Sequence, residues 1–228
     1  MGEQVTLHDI AREAGTSVTT VSRALQGRPD ISENTKMKIK AIAERLGYIP
    51  NIQARALRLN RTKVLGIINP DNSNPFYARL IKGVEETSRK LNYTVLVGNT
   101  GDRPEVERDV LMTFTAMRVA GILGIPADVR NYYDLKVPLI FLARHEYGTE
   151  AHHFNSVVSN NTRGAYLATS HLLERGKKTI FLINGRKYLS TAMEREEGYR
   201  KALDEANIPY NEKFIYYGEP GMEYGYKA

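Results

Sequence analysis

The stretch Val5-Thr6-Leu7-His8-Asp9-Ile10-Ala11-Arg12-Glu13-Ala14-Gly15-Thr16-Ser17-Val18-Thr19-Thr20-Val21-Ser22-Arg23-Ala24-Leu25 reads as two short helices joined by a turn. Thr6 can cap the first, with Asp9 three residues on as a weak capping box. Leu7, Ile10, Ala11 and Ala14 then share one face. Gly15 supplies the left-handed residue that ends a helix. Ser17 can cap a second helix through about Leu25, in which Val21 and Leu25 lie one turn apart and face inward. Gly27 and Pro29 end it. Ser32 caps a third helix, whose buried stripe is Ile39, Ile42, Ala43 and Leu46, and Gly47 closes it. Two helices across a short Gly-containing turn carry the helix-turn-helix signature. Caps and stripes alone fit a plain helical bundle equally well. The second helix separates the two readings, because Val18, Thr19 and Arg23 cannot all share the inward face with Val21 and Leu25. They are expected outward, near the helix start, where a recognition helix meets base edges. Arg can bond guanine O6 and N7 together, and Val or Thr can touch a thymine methyl.

Charge supports that reading weakly. The 228-residue chain carries a formal +6, and residues 1–62 alone, with ten Lys or Arg and six Asp or Glu, carry +4 of it. A basic N-terminal quarter suits a polyanion. The chain contains no cysteine, which excludes disulfides, thiol catalysis and cysteine-based zinc sites. No apolar run approaches a membrane span and no signal-peptide stretch opens the sequence, so a cytoplasmic location is expected.

At Val5–Gly15 and Val18–Leu25 the sequence resembles the headpiece of the lactose-repressor (LacI/GalR) family, in register for over fifty residues. Leu46-Gly47-Tyr48-Ile49-Pro50-Asn51 and Ala54-Arg55-Ala56-Leu57 continue the match. The resemblance implies that Thr6, Ser17, Val18, Thr19, Ser22, Arg23, Asn51, Ala54 and Leu57 meet DNA. Residues 51–59 by themselves read as a basic linker, since so short a helix is marginal in water. The resemblance implies instead a hinge helix that folds on the operator, pairs with its symmetry mate and inserts Leu57 into the minor groove. An apolar wedge between base steps exchanges unstacking energy for a bend. Coupling helix formation to binding would also supply a switch.

From Lys63 the periodicity changes. Strands are expected at Val64–Ile68, Thr94–Val97, Gly121–Leu123, Pro138–Leu142, Thr179–Ile183 and Phe214–Tyr217. Helices are expected at Phe76–Leu91, Pro104–Met117, Thr162–Arg175 and Ser190–Ala206. Such alternation argues for an α/β fold with a parallel sheet, whose ligands bind beyond the carboxyl ends of the strands. The loop Asn69–Tyr77 is not a Gly-rich phosphate loop, and no nucleophile elbow, metal-binding helix motif or spaced carboxylate pair appears. No enzyme, metal or cofactor is expected. His145, His152 and His153 read as surface residues in a polar stretch.

Ser73-Asn74-Pro75-Phe76-Tyr77, Arg118–Ile122, Asn161–Ala165 and Ala192–Arg200 extend the family resemblance over essentially the whole chain. They imply an incomplete, doubly wound core of the periplasmic-binding-protein type. They also imply effector contacts from Phe76, Tyr77, Asn160 and Arg195, the last a planar fork onto ligand oxygens. Two departures stand out. Ala143-Arg144 replaces a common Asp-Arg pair, and Asn160-Asn161 a common Asp-Asn. Both remove a carboxylate from the cleft, which leaves more room for an anionic ligand. The expected organisation is a headpiece at 1–50, a hinge at 51–62, a first core subdomain at 63–162 and a second, incomplete one at 163–228. The family's chains run on well beyond this point, so the second subdomain is expected to fold poorly.

The expected function is a repressor of a metabolic operon. It would bind double-stranded operator DNA as a homodimer and be gated by a small molecule, a sugar or sugar derivative. A secreted solute-binding protein fits less well, given the basic helix-turn-helix and the missing signal peptide. A sugar-modifying enzyme lacks a catalytic constellation.

Overall fold

The computed structural model describes residues 5–49, 62–147, 154–219 and 221–228. The chain divides into two compact units, Met1–Arg58 and Leu59–Ala228. Asn51, Ala54 and Leu57 lie outside the described residues, as do His152 and His153.

The first unit contains α1 (Leu7–Ala14), α2 (Val18–Leu25) and α3 (Glu33–Arg45). Their ends are set by the local signals in the sequence. The Thr6 backbone N–H donates to Asp9 Oδ2 at 2.9 Å and its hydroxyl donates to the same oxygen at 2.6 Å. Gly15 adopts φ 66°, which an L-side chain resists, so α1 stops there. Ser17 Oγ accepts from Thr20 N at 3.1 Å, and Ser32 Oγ from Thr35 N at 3.3 Å. The three helices bury Ile10, Ala11, Ala14, Val21, Ala24, Ile39, Ile42 and Ala43 in one cluster, with Leu25, Ile31, Leu46 and Tyr48 partly covered around it. Ile10, Val21 and Ile39 are essentially fully buried, each worth about 1.5–3 kcal/mol of transfer free energy. Lys36 is also buried, its stem covered while Nζ reaches Glu33 Oε1 at 2.7 Å.

The second unit runs β1 (Val64–Asn69), α4 (Pro75–Lys90), β2 (Thr94–Asn99), α5 (Pro104–Ala116), β3 (Gly121–Gly124) and β4 (Leu139–Leu142). It continues through β5 (Ser156–Val157), α6 (Asn161–Glu174), β6 (Leu182–Asn184), α7 (Ser190–Glu205), β7 (Ile215–Tyr217) and α8 (Met222–Lys227). Five strands form one parallel sheet in the order β2-β1-β3-β4-β5, and β6 and β7 pair in a second, also parallel. The strand order reverses between β1 and β3, so the crevice beyond their carboxyl ends is the binding position of such a fold.

The first sheet packs Ile68, Leu111, Phe114, Ile122, Tyr132 and Phe141 into a core. The second layer is smaller, built on Ile180, Tyr199, Leu203 and Ile215. It leaves Phe181, Ile183 and Tyr216 exposed. Helices α6 and α7 approach closely because residue 198 is glycine; a β-carbon there would collide with the Thr162 carbonyl.

One expectation needs correction. The strand expected over 179–183 begins only at Leu182, because its partner β7 begins at Ile215, paired with Leu182, and residues 179–181 have no strand beside them. The short edge strand β5 carries no signal in the sequence, because two residues are too few for a period-2 pattern.

Candidate functional site

The first candidate surface belongs to α2. Thr19 and Arg23 are exposed and stand one helical turn apart, so they share the outward face of a helix whose other side is packed. Ser17 is exposed at its N-terminus and Thr6 is exposed at the start of α1. Val18 departs from expectation. It is half-buried and packs against the helical core, so only part of its side chain is available. Ser22, expected at the DNA surface, is 9% exposed, and its Oγ accepts from Gln26 Nε2 at 3.1 Å. It follows Val21 around the helix onto the inward side, and a base contact from it would require the helix to turn. Arg23 Nη2 lies 2.7 Å from Asp30 Oδ2.

The second candidate surface lies where the strands end. Asn69 closes β1, and Asp102, Pro126, Arg144, Asn160, Arg186 and Glu219 stand in the segments that follow a strand's carboxyl end. The group at its centre is Arg144, which is 7% exposed. Ala143, at φ 60°, turns the chain as β4 ends. The Arg144 guanidinium then donates to Asp102 twice, Nη1 to Oδ1 at 2.5 Å and Nη2 to Oδ2 at 3.2 Å. Nη1 also donates to the Pro126 carbonyl at 3.1 Å and Nη2 to the Tyr77 hydroxyl at 3.2 Å. Arg186, from the segment after β6, reaches Asp102 Oδ2 at 3.4 Å, donates to Tyr188 Oη at 2.9 Å and pairs with Glu219. One carboxylate thus gathers cations from beyond both sheets. A parallel contact joins His145 Nε2 to Glu194 Oε1 at 2.6 Å, and Asn161 Nδ2 donates to Glu194 Oε2 at 2.7 Å.

The loop that presents Pro126 is itself anchored. Glu107 on α5 is fully buried, yet all its acceptor positions are used. Oε1 accepts from Ala127 N at 2.7 Å and from the Tyr132 hydroxyl at 2.8 Å. Oε2 accepts from Asp128 N at 3.1 Å and Asn131 Nδ2 at 2.9 Å. Burial pushes the Glu107 carboxyl above its ordinary range, and these four bonds hold the rise in check. Burial, with the neighbouring Glu107, raises the Tyr132 phenol well above its usual value, so it stays a donor.

Of the residues expected at the effector, Tyr77 joins the Arg144 network directly. Asn160 caps α6 through Oδ1, accepting from Arg163 N at 2.8 Å. Arg195 is exposed beside Glu194, with no side-chain partner among the described residues. Phe76 is 55% exposed and meets Tyr77 edge-on at 5.3 Å. It lines a groove with Pro75, Arg79 and Leu80 along α4, apart from the Arg144 network.

Ala143 and Asn160 stand where the family often has carboxylates; Asp102 and Glu219 enter this region from other segments, each paired with a guanidinium, and Glu194 is paired with His145. His145, read from the sequence as a surface residue, is only partly exposed, with its side chain at 18%. Asp102 and Arg186 were not singled out in the sequence. The signal that could have found them is their place immediately after β2 and β6. Among the described residues no cluster could hold a metal ion, and no helix is long and apolar enough to cross a membrane.

Comparison with known proteins gives two family matches. The model described as bacterial regulatory proteins, lacI family, matches residues 6–51, and that described as periplasmic binding proteins and sugar binding domain of LacI family matches residues 62–228. The HTH-type transcriptional repressor PurR of Yersinia pestis bv. Antiqua (strain Antiqua) is 33% identical over 235 residues, covering 98% of this chain and 67% of that protein. The lac repressor dimer bound to operator and the anti-inducer ONPF shares the fold, with a TM-score of 0.84 at 23% identity over 99% of this chain and 68% of that one. The complex of transcriptional regulator CelR with cellobiose aligns with a TM-score of 0.65 at 26% identity, over 99% of this chain and 69% of that one.

Proposed function

The chain belongs to the lacI family of bacterial regulatory proteins, whose members are DNA-binding transcriptional regulators gated by small molecules, and from that premise we propose how it acts. It is a cytoplasmic repressor of a metabolic operon that binds double-stranded operator DNA as a homodimer. Residues 1–50 read the DNA, 51–62 act as the hinge, and 63–162 with 163–228 form the two lobes of an effector-binding core. The relatives are regulators and not enzymes, and no catalytic role is assigned to any residue.

The observation that carries the reading is the outward pair Thr19 and Arg23 on a helix that is capped at Ser17 and packed through Val21 and Ala24. A rigid helix with two polar side chains one turn apart suits the major groove, where Arg23 can take guanine O6 and N7 and Thr19 a neighbouring base. Thr6 and Ser17 contact the phosphates that set the register. Asn51, Ala54 and Leu57 supply the minor-groove contact, with Leu57 as wedge.

In the core, Tyr77, Asn160 and Arg195, with Phe76 at the margin, hold a sugar or sugar derivative. Support comes from the sugar-binding description of the matching family model. It also comes from the mix of guanidinium, carboxylate and phenol groups after the strands, which suits a polyhydroxyl ligand. The effector works by binding one arrangement of the two lobes better than another, and so shifts the hinge between its DNA-binding and free forms.

Arg23→Ala tests the reading. It should cost about 1–3 kcal/mol and relax preference at one base pair per half-site. A uniform loss on every sequence would make Arg23 a phosphate contact and refute the base assignment. Leu57→Ala should weaken specific binding and reduce bending in circular-permutation gel shifts while sparing salt-dependent nonspecific binding. An unchanged bend removes the wedge. Calorimetry against a panel of sugars should find one whose heat disappears in Arg195→Met; a ligand bound equally by both proteins removes Arg195 from the site.

A further inference from the structure

We propose that Asp30 is a specificity-determining residue for DNA binding, holding the Arg23 guanidinium in its reading pose and opposing its use as a phosphate contact. The inference rests on the reading that Arg23 meets a base edge. Arg23 Nη2 sits 2.7 Å from Asp30 Oδ2, with side chains 52% and 42% exposed. Neither side chain has another partner among the described residues. The pair therefore stands at the surface with a free side.

Asp30 does not sit on a wandering loop. Gly27, at φ 70°, turns the chain as α2 ends. Arg28 N then donates to the Arg23 carbonyl at 3.1 Å and Ile31 N to the Arg28 carbonyl at 3.3 Å. Ile31 packs on the helical core and Ser32 caps α3. The backbone of Asp30 is thus pinned from both sides, and its carboxylate is presented to one guanidinium edge.

That geometry has two consequences. A guanidinium carries five donors in a rigid fork. One oxygen on one Nη leaves a second edge free for a pair of acceptors, and it fixes the rotation of a side chain that would otherwise sample many rotamers. The second consequence concerns what may approach. A base edge is neutral and offers acceptors to Arg23 alone. A phosphate reaching Arg23 also comes within a Debye length, about 8 Å at physiological salt, of the Asp30 charge. The carboxylate therefore disfavours the sequence-blind contact and spares the sequence-reading one, which is how a repulsive element confers specificity. Exposed ion pairs contribute little to folding stability, so the effect of Asp30 belongs to recognition.

The experiment uses the full chain as wild type, Arg23→Ala, Asp30→Asn and Asp30→Ser. Each is equilibrated with a library of randomised DNA duplexes at several salt concentrations, and the bound fraction is sequenced. Thermal melts accompany each variant. The position flattened by Arg23→Ala defines the base pair that Arg23 reads. Both Asp30 variants should melt with the wild type and bind unselected duplex about 3-fold tighter, the gain from removing one charge some 7 Å from a phosphate in a water-like dielectric. They should also lose about 3- to 10-fold of the preference at the Arg23 position. Wild-type preference there in both Asp30 variants overturns the proposal while leaving the base reading of Arg23 in place. A uniform loss in Arg23→Ala, or a wild-type pool with no preferred base, overturns the base reading and the proposal with it.

Discussion

Replacing Asp102 by Ala would strand a buried cation. The Arg144 side chain is 8% exposed and donates two of its four hydrogen bonds to Asp102. In the variant it keeps only the Pro126 carbonyl and the Tyr77 hydroxyl. Deleting one partner of a buried pair costs about 3–5 kcal/mol, because the other charge stays desolvated. Two features favour the lower end. The Asp102 side chain is 17% exposed, so water can reach the vacated space, and the guanidinium still has two acceptors to donate to, the Pro126 carbonyl and the Tyr77 hydroxyl. The second bridge, to Arg186 at 3.4 Å, is longer and more exposed and adds at most about 1 kcal/mol. The expected loss is about 3 kcal/mol, which for a unit of this size lowers Tm by about 6–12 °C. Asp102→Asn keeps an acceptor and loses the charge, and should cost about 1–2 kcal/mol. Arg144→Met removes the stranded cation, so the double variant should be little worse than Arg144→Met alone, with a coupling of about 2 kcal/mol. The chain has no tryptophan and 14 tyrosines, so urea unfolding is followed by tyrosine fluorescence and far-ultraviolet circular dichroism. Additivity of the two single variants within about 0.5 kcal/mol would refute the claim that Asp102 and Arg144 share a buried contact.

Gly198→Ala should destabilise the second lobe by about 2–3 kcal/mol, since the added methyl meets the Thr162 carbonyl; an unchanged Tm would mean that α6 and α7 do not approach as described. Tyr199→Phe removes a buried hydroxyl that donates to the Ile180 carbonyl at 2.9 Å, and should cost about 1 kcal/mol in urea unfolding. Glu107 has its folded pKa raised by burial, so its protonated form favours the folded chain. Its contribution is full below the ordinary glutamate range, near pH 4.3, and falls as pH rises through the higher folded value. The stability difference between wild type and Glu107→Gln, measured from pH 3.5 to 7, should therefore shrink with rising pH, and a difference that grows would reverse the sign of the argument.

What the sequence determined by itself is what neighbours in the chain decide. Thr6, Ser17 and Ser32 are placed to cap helices, and Gly15 and Gly47 to end them. The alternation of apolar runs with helical stripes announced the parallel α/β core. These signals act over three to five residues, through hydrogen bonds and dihedral preferences that need no distant partner. The outward position of Arg23 followed from the same periodicity, although periodicity could not show that Ser22 turns inward while Thr19 stays out. That depends on where α1 and α3 lie. Tertiary structure alone decided the strand order, the late start of β6 and the composition of the cleft. Asp102 meets Arg144 across 42 residues and Arg186 across 84, and His145 meets Glu194 across 49. Nothing in the flanking residues encodes those meetings. They arise because parallel strands all end on one side of the sheet, which brings the segments after them together whatever their distance in sequence. Once there, a buried guanidinium must find a carboxylate, since leaving it unpaired would cost several kcal/mol.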